Sequence, residues 1–196
     1  MRILIIRLCL LNVSVVNINR KFRISNRVHQ FTKVEMFGIT NGHVSASDKL
    51  LDEFVEIQQE LFNSLGFHYQ LLDMPLHELG APAYRKFDIE AWMPGRGMYG
   101  EVSSASNCSD YQARRMAINT IDSDGSHHFA HTVNGTACAL PRMLITLMET
   151  HQLADGRVSI PAPLQPYCNG LQHLTAGHDE AFKLRWIRSK TQKHAD

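Results

Sequence analysis

The segment Arg27-Val-His-Gln-Phe-Thr-Lys-Val-Glu35 contains the first of three clusters of side chains that could do chemistry. In a β-strand alternate residues point to one face, so Arg27, Phe31 and Glu35 would lie on the same side, with His29 and Lys33 between them. A cation, an aromatic ring and a carboxylate together could hold a phosphate, stack a base and bind an amine. Strands with mixed faces are also common without any ligand, so both interpretations stay open for this segment.

The second cluster is Gly100-Glu-Val-Ser-Ser-Ala-Ser-Asn107. Glu101 and Ser103 would share one face of a strand, and Ser104 would follow near its end. A carboxylate and a hydroxyl are hard oxygen ligands, and they suit a Mg²⁺ ion that arrives with a phosphate. Runs of Ser and Asn also close turns without any ligand, which is the alternative here.

The third cluster is Asn134-Gly-Thr-Ala-Cys-Ala-Leu-Pro-Arg142. Its small residues would let a ligand approach the backbone at the start of a helix, and Arg142 could pair with a phosphate. The helical spacing of the residues that follow puts Arg142 roughly opposite an apolar stripe, so it should face either a ligand or solvent. On these residues alone, a solvated surface arginine remains the alternative.

Histidines at 127, 128 and 131 suggest a metal cluster, but no carboxylate or cysteine stands at a matching spacing, so we assign no metal to them. The chain has no G-x-x-x-x-G-K-[ST] loop, no G-x-S-x-G elbow and no H-E-x-x-H helix. These absences leave phosphate-loop, serine-hydrolase and zinc-protease chemistry without support.

The elements that must position these clusters can be read from periodicity. Ser47 and Asp48 predict a helix start, and an apolar face recurs at Leu50, Phe54, Ile57, Leu61 and Leu65 before Gly66 ends the helix. Two strands, 87–92 and 98–104, are predicted to form an antiparallel hairpin around the turn Pro94-Gly-Arg-Gly97. A shorter strand at 67–72, a helix capped by Ser109-Asp110 and a strand at 128–133 are also predicted.

Pro141 is expected in the first turn of a last helix. Its apolar stripe comprises Leu140, Met143, Leu144, Leu147 and Met148. Antiparallel strands with helices on one side predict an α+β domain.

Composition bounds the protein without naming it. The chain has 196 residues, of which 44% are hydrophobic and 20% charged, which excludes wholesale disorder and collagen. The net charge of +1 provides no general basic field for nucleic acid. Four widely spaced cysteines indicate reduced thiols rather than a disulfide framework. The apolar run near the N-terminus is too short to span a membrane, so no membrane association is expected.

The first acidic residue is Glu35, and seven Lys or Arg precede it. Such an N-terminus is typical of mitochondrial transit peptides. A secretory signal is the rival, although Arg7 interrupts the apolar run 3–11 and no A-x-A-like cleavage site follows. A third interpretation is that this leader has no designed role. We therefore expect a mitochondrial (matrix) protein, with the cytoplasm as the alternative.

Taken together and in this order, the clusters resemble the C-terminal part of the catalytic domain of seryl-tRNA synthetases. The matching stretches are Arg27–Glu35, Asp88–Pro94, Glu101–Asn107, Asp110–Arg115 and His131–Arg142. Two short sequences are most similar to the mitochondrial branch of that family: Trp-Met-Pro-Gly-Arg-Gly and Val-Asn-Gly-Thr-Ala-Cys. The resemblance divides the chain into an unmatched leader or artefactual start (1–26), a partial catalytic domain (27–165) and a polar, basic tail (166–196).

The resemblance implies a class II synthetase fold, an antiparallel sheet flanked by helices and here incomplete, in a family that forms homodimers. It implies a serine–tRNA ligase, which activates serine with ATP to seryl-adenylate and transfers the seryl group to tRNA(Ser), with Mg²⁺ on the nucleotide.

The resemblance also assigns roles. It places Arg27, Glu101 and Arg142 in catalysis, with Arg27 on the far phosphates and Arg142 on the terminal phosphate. ATP contacts are implied for Arg27, Val28, Phe31, Glu101, Val102, Ser103, Ser104 and Arg142, with Phe31 stacking on the adenine. Glu101 and Ser104 correspond to Mg²⁺ ligands. Glu35, Asn134 and Thr136 correspond to the serine pocket.

Several parts of the family pattern are missing from the sequence. They are the first motif, which forms the dimer interface, the Thr-x-Glu segment at the serine site, the arginine on the α-phosphate and the N-terminal arm that grips tRNA. The homodimer is therefore doubtful here, and a catalytically inactive truncated paralogue or fragment that binds a partner is the alternative function.

Overall fold

The computed structural model describes residues 31–175, so Arg27, Val28 and the leader expected at 1–26 lie outside the described residues. The strands are β1 Lys33–Thr40, β2 Tyr69–Asp73, β3 Arg85–Met93, β4 Met98–Asn107, β5 Asn119–Ile121, β6 His127–Phe129, β7 His131–Ala139, β8 Val158–Ser159 and β9 His173–Leu174. The α-helices are α1 Val44–Ser64, α2 Tyr111–Met116 and α3 Leu140–His151, and 3₁₀ helices cover Leu76–Glu78 and Ala162–Cys168.

The central sheet has the strand order β1-β7-β4-β3-β2. Every neighbouring pair in it is antiparallel. This arrangement confirms the α+β class. The expected hairpin is also present, because β3 and β4 pair along their lengths from Arg85 opposite Asn107 to Met93 opposite Met98. At its turn Gly97 adopts a φ of +63°, a conformation open to glycine at little steric cost.

Helix α1 covers one face of the sheet, but its start and its buried stripe differ from the sequence prediction. It begins at Val44, with His43 in the cap position, so the expected start at Ser47 was wrong. The reason is tertiary, since Ser47 is buried and its hydroxyl lies 3.0 Å from His131 Nδ1 on β7. The buried side includes Leu51 and Phe62, whereas Leu61 is exposed. Gly66 follows the helix with a φ of +69°, as expected of a C-terminal glycine.

Helix α3 contains Pro141 in its first turn, as predicted. Its apolar stripe was predicted to be a core face, and that is wrong for most of it. Leu147 is buried, whereas Leu144 is 58% exposed and both Leu140 and Met148 are also exposed. The helix leaves the end of β7 and contacts mainly β3 and β4, so only one edge of its stripe reaches the core.

Two smaller expectations also need correction. Asp110 occupies the cap position of α2 but makes no capping hydrogen bond, because its carboxylate pairs with Arg114 at 2.6 Å. The strand expected at 128–133 is split, with β6 ending at Phe129 and β7 beginning at His131.

The two faces of the sheet differ in chemistry. Apolar residues of β1, β3, β4 and β7 meet α1 and α3 in two adjoining core clusters, one around Leu51 and Phe54 and one around Phe62 and Leu147. Because side chains alternate along a strand, the intervening residues lie on the other face. That face carries Glu35, Ser104 and Thr136 among others. The candidate site therefore lies on the face of the sheet opposite α1.

The C-terminal part of the described chain continues past the boundary expected at residue 165. The 3₁₀ helix Ala162–Cys168 crosses it, and β9 pairs with β8 through Val158 opposite Leu174. No helix within residues 31–175 has the length and apolar character needed to cross a membrane.

Candidate active site

A cavity of about 170 Å³ brings the three sequence clusters together. It is lined by Phe31, Lys33, Glu101, Val102, Ser103, Ser104, Thr136, Ala139 and Arg142. Phe31 and Lys33 come from the first cluster, the residues of β4 from the second, and Thr136 and Arg142 from the third. Residues far apart in the chain therefore surround one hollow, as the resemblance requires.

Arg142 faces this hollow rather than open solvent. It lies in the first turn of α3, directly after β7 has ended at Ala139. Its guanidinium is 3.0 Å from the Glu101 carboxylate, and 24% of its side chain is exposed. The ion pair joins the helix start to β4. It also holds the Arg142 guanidinium beside the Glu101 carboxylate in a partly enclosed space. There the guanidinium could form two hydrogen bonds to a phosphate, and the carboxylate could bind the metal cation that accompanies the phosphate.

Glu35 lies next to the cavity and is held in a network of polar contacts. Its Oε2 accepts a hydrogen bond of 2.9 Å from the Thr136 hydroxyl, and its Oε1 accepts one of 3.1 Å from the Asn134 amide. Register explains the contact, since Glu35 stands opposite Thr136 where β1 pairs with β7. The carboxylate is thus fixed in position by two side chains of β7.

Lys33 belongs to the same network, although the family resemblance assigns it no role. Its Nζ is 2.9 Å from Glu35 Oε2 and 3.3 Å from Thr136 Oγ1. The signal was present in the sequence, because Lys33 lies two residues before Glu35 and therefore shares its strand face.

A larger cavity of about 620 Å³ adjoins the other side of Glu35. Its lining comprises Glu35, Phe37, Pro82, Tyr111, Gln112, Arg115 and Met116. Glu35 lines this larger cavity. It does not line the smaller one, but it is hydrogen-bonded to Thr136, which does. The structure therefore places Glu35 and Asn134, which were expected at the serine pocket, beside the smaller cavity and not in its wall.

Two groups near the site have shifted pKa values. Burial raises the pKa of the Asp88 carboxyl above its usual range, and the hydrogen bond from Lys86 opposes this shift. Asp88 stands opposite Ser104 in the β3–β4 pairing. Burial also raises the pKa of the Cys138 thiol. Cys138 is consequently protonated at neutral pH, which disfavours it as a nucleophile.

Within the described ranges, no three His, Cys, Asp or Glu side chains are grouped to hold a metal ion. His131 is buried against Ser47, and His128 lies 3.4 Å from Asp122. The set of Glu101 and Ser104 is a different case, because Mg²⁺ is often held by one carboxylate and the phosphates of its substrate.

Residues 19–151 match the tRNA synthetase class II core domain (G, H, P, S and T). The chain belongs to this family. It is 60% identical over 150 residues to the mitochondrial serine–tRNA ligase of Mus musculus, a match that covers 76% of this chain and 29% of the relative. It is 52% identical to the serine–tRNA ligase of Treponema denticola, covering 72% of this chain and 34% of the relative. The chain thus spans about a third of the length of these relatives.

Solved structures agree with this assignment. A seryl-tRNA synthetase from Pyrococcus horikoshii, complexed with ATP, superposes with a TM-score of 0.72 at 40% identity. The match covers 76% of this chain and 33% of that one. A cytoplasmic serine–tRNA ligase from Naegleria fowleri, in complex with AMP, gives a TM-score of 0.70 at 36% identity. These comparisons confirm the resemblance and the class II fold predicted from the sequence.

Proposed function

We propose that this chain carries the ATP and serine sites of a serine–tRNA ligase, which forms seryl-adenylate and transfers the seryl group to tRNA(Ser). The observation that carries the proposal is the convergence of Phe31, Glu101, Thr136 and Arg142 around one cavity, with Glu35 hydrogen-bonded to Thr136. The serine–tRNA ligases among its relatives support the choice of amino acid.

In the nucleotide half of the site, Phe31 stacks on the adenine and Arg142 binds the terminal phosphate. Residues 101–104 line the space between them, although Val102 packs in the core and the Ser103 hydroxyl is bonded to Gln58 of α1. Arg27 and Val28 complete this half by resemblance and lie outside the described residues. Binding of the nucleotide requires the Arg142–Glu101 ion pair to open or to be shared with phosphate.

The oxygens of Glu101 and Ser104 fit a Mg²⁺ ion that enters with ATP. Both residues line the same cavity as Arg142, which provides the cationic counterpart for the phosphates. When bound, the ion would neutralise phosphate charge. Arg142 would then be released from Glu101 to serve the phosphate alone.

In the serine half, Glu35 binds the ammonium group, and Thr136 and Asn134 hold the Glu35 carboxylate in place. Lys33 already neutralises one oxygen of Glu35. The incoming amine must therefore share that oxygen, move Lys33 aside or bind at Oε1, which accepts a hydrogen bond from Asn134.

The reaction needs little acid or base chemistry. A carboxylate oxygen of serine attacks the α-phosphorus, the bond to the bridging oxygen breaks, and pyrophosphate leaves with the electron pair. A hydroxyl at the 3′ end of tRNA then attacks the activated carbonyl, and AMP leaves. Positioning of the two reactants and stabilisation of phosphate charge are what this site supplies.

For the location and partners of the whole protein, we propose the mitochondrial matrix, since mitochondrial serine–tRNA ligases are among the relatives at 60% and 59% identity. The partners would be serine and tRNA(Ser), with a second copy of the catalytic domain as the family implies. Import of a fluorescent fusion into mitochondria tests the location.

The test of the activity is serine-dependent exchange between ATP and pyrophosphate, together with titration of the chain with ATP·Mg²⁺ and serine. We expect exchange with serine and none with alanine. Arg142→Met should reduce exchange by on the order of 10²–10³-fold, the typical effect of removing one transition-state donor.

Arg157→Met is the matched control, because Arg157 pairs with Asp155 at 2.7 Å in an exposed turn away from the cavity. It should leave exchange unchanged. Binding of both ligands without exchange would instead support a non-catalytic binding protein, and binding of neither would refute the proposal.

A further inference from the structure

The two strands that carry the two halves of the site separate where the site begins. Strands β4 and β7 pair from Asn107 opposite Val133 to Ala105 opposite Gly135. Both strands then run on past this point, to Met98 and Ala139 respectively. The residues just beyond the last pair are Ser104 on β4 and Thr136 on β7, and both line the smaller cavity.

Gln58 of α1 bridges this separation from the helix side of the sheet. Its side-chain Nε2 lies 2.9 Å from Ser103 Oγ, 3.0 Å from the Ser104 carbonyl and 2.9 Å from the Thr136 carbonyl. The Ser103 hydroxyl also donates to the Thr136 carbonyl. One carboxamide therefore joins β4 to β7 at the place where the ladder between them has stopped.

The position of Gln58 is unusual for a residue with no ligand. It is fully buried in the middle of α1, among positions otherwise filled by Leu51, Phe54, Val55 and Phe62. Its Oε1 has no hydrogen-bond partner within the described residues. Burial of an unsatisfied acceptor opposes folding, so an apolar residue would suit the helix–sheet packing alone better than glutamine does.

We propose that Gln58 is a positioning residue that couples the nucleotide half of the site to the serine half. It touches neither ligand, because it approaches the sheet from the face opposite the cavity. Its contacts set the distance between Ser104, beside the phosphates, and Thr136, which holds Glu35 for the amine. The inference rests on the proposed function, since it assigns the two halves to ATP and serine.

The coupling has a simple physical origin. Either ligand alone orders one strand, and the carboxamide transmits that order to the other strand through direct hydrogen bonds. The second ligand then binds to a site that is already arranged, and so binds more tightly. Without the carboxamide each strand would be ordered separately, and the two ligands would bind almost independently.

The experiment compares Gln58→Met with Gln59→Met in the full chain. Methionine keeps approximate length and volume but has no N–H donor. Gln59 is the next residue of the same helix and is only partly buried. Calorimetric titration uses α,β-methylene-ATP·Mg²⁺, which cannot release pyrophosphate. It gives the Kd of this analogue with and without serine and of serine with and without the analogue, and circular dichroism checks the fold.

For the wild type and Gln59→Met we expect each ligand to tighten the other about tenfold, within the usual range of coupling between sites. For Gln58→Met we expect that factor to fall to about one, with each separate Kd changed less than threefold. A purely structural role would weaken both separate affinities and would leave their ratio unchanged.

The outcomes separate the two proposals. A wild-type chain that binds neither ligand refutes the proposed function. A wild type that binds both, with equal coupling in Gln58→Met or with no coupling at all, overturns only the role of Gln58. If Gln58→Met does not fold, amide hydrogen exchange of the wild type decides, because the inference requires each ligand alone to order both strands. Serine alone should slow exchange of the β4 amides near Ser104, and slowing confined to β1 and β7 overturns the inference.

Discussion

Helices α1 and α3 lie on the same face of the sheet and share one core cluster, to which α1 contributes Phe62 and α3 contributes Leu147. Their sequences show the same kind of amphipathic spacing, yet their burial differs. Helix α1 lies across β1, β4 and β7 and buries side chains along most of its length. Helix α3 starts at the end of β7, and only Thr146 and Leu147 of its residues are buried. Similar periodicity in two helices thus predicts that each is amphipathic but not which of its apolar residues are covered or how many.

The difference follows from what each helix does for the site. Helix α3 must begin beside the cavity to place Arg142 there. The Thr146 hydroxyl donates a hydrogen bond of 2.9 Å to the Arg142 carbonyl, which links the first turn of α3 to the second. Helix α1 supports the sheet from behind and can therefore be buried along its length. One helix places a cation at the cavity, and the other supplies buried contacts with the strands.

The largest expected effect comes from making the same Leu→Ala substitution in each helix separately and comparing the two losses of stability. Leu51→Ala in α1 should lower the free energy of unfolding by about 2–5 kcal/mol, because Leu51 is fully buried and its removal leaves a cavity. Leu144→Ala in α3 should change it by less than about 0.5 kcal/mol, since that side chain is mostly in solvent. Urea unfolding followed by circular dichroism measures both. Equal effects would mean that the stripe of α3 is covered in solution.

The sequence predicted the ends of helices correctly where the residue at that position determines the backbone geometry by itself. Gly66 ends α1 and Pro141 starts α3, because each residue favours that position through its own backbone geometry. The grouping of Phe31, Glu101, Thr136 and Arg142 was expected from the resemblance, which contains three-dimensional information that periodicity lacks.

Prediction failed where the cause lies elsewhere in the fold. Ser47 has the chemistry of a helix cap, but His131 and Asn107 engage its hydroxyl inside the protein. Gln58 gives no sequence signal of burial, because a polar residue in a helix is usually assigned to solvent. Its role depends on the separation of β4 and β7, which only the register of the sheet reveals.

The pH dependence of the free energy of unfolding tests the comparison of the two helices further. The N-terminal part of α1 contacts the sheet through His131, whose protonation depends on pH. Burial lowers the pKa of this histidine, partly offset by Asp110 and Asp48 and reinforced by His43. The folded state therefore disfavours the proton relative to the unfolded state, in which the pKa is about 6.5. Its contribution to stability is complete above that pH and is lost as the pH falls below it.

We expect the free energy of unfolding to fall between pH 7 and pH 5, and to fall less steeply in His131→Gln. The total effect should be smaller than that of Leu51→Ala. His127→Gln is the control, because His127 is exposed. Urea unfolding at half-unit pH intervals gives the slopes, and equal slopes for wild type and His131→Gln would contradict the assignment.

The smallest effect on stability is expected from the exposed stripe of α3 itself. Replacement of Leu140, Leu144 and Met148 by glutamine should change the free energy of unfolding by less than about 0.5 kcal/mol per site. The same change should reduce self-association, because contiguous exposed apolar surface favours contacts between molecules. Sedimentation velocity over a range of concentrations measures this.

Leu147→Gln is the contrasting variant. It places a polar group in the core beside Phe62 and should destabilise the fold. If the triple variant unfolds as readily as Leu147→Gln, the stripe is part of a packed interface, and α3 resembles α1 after all.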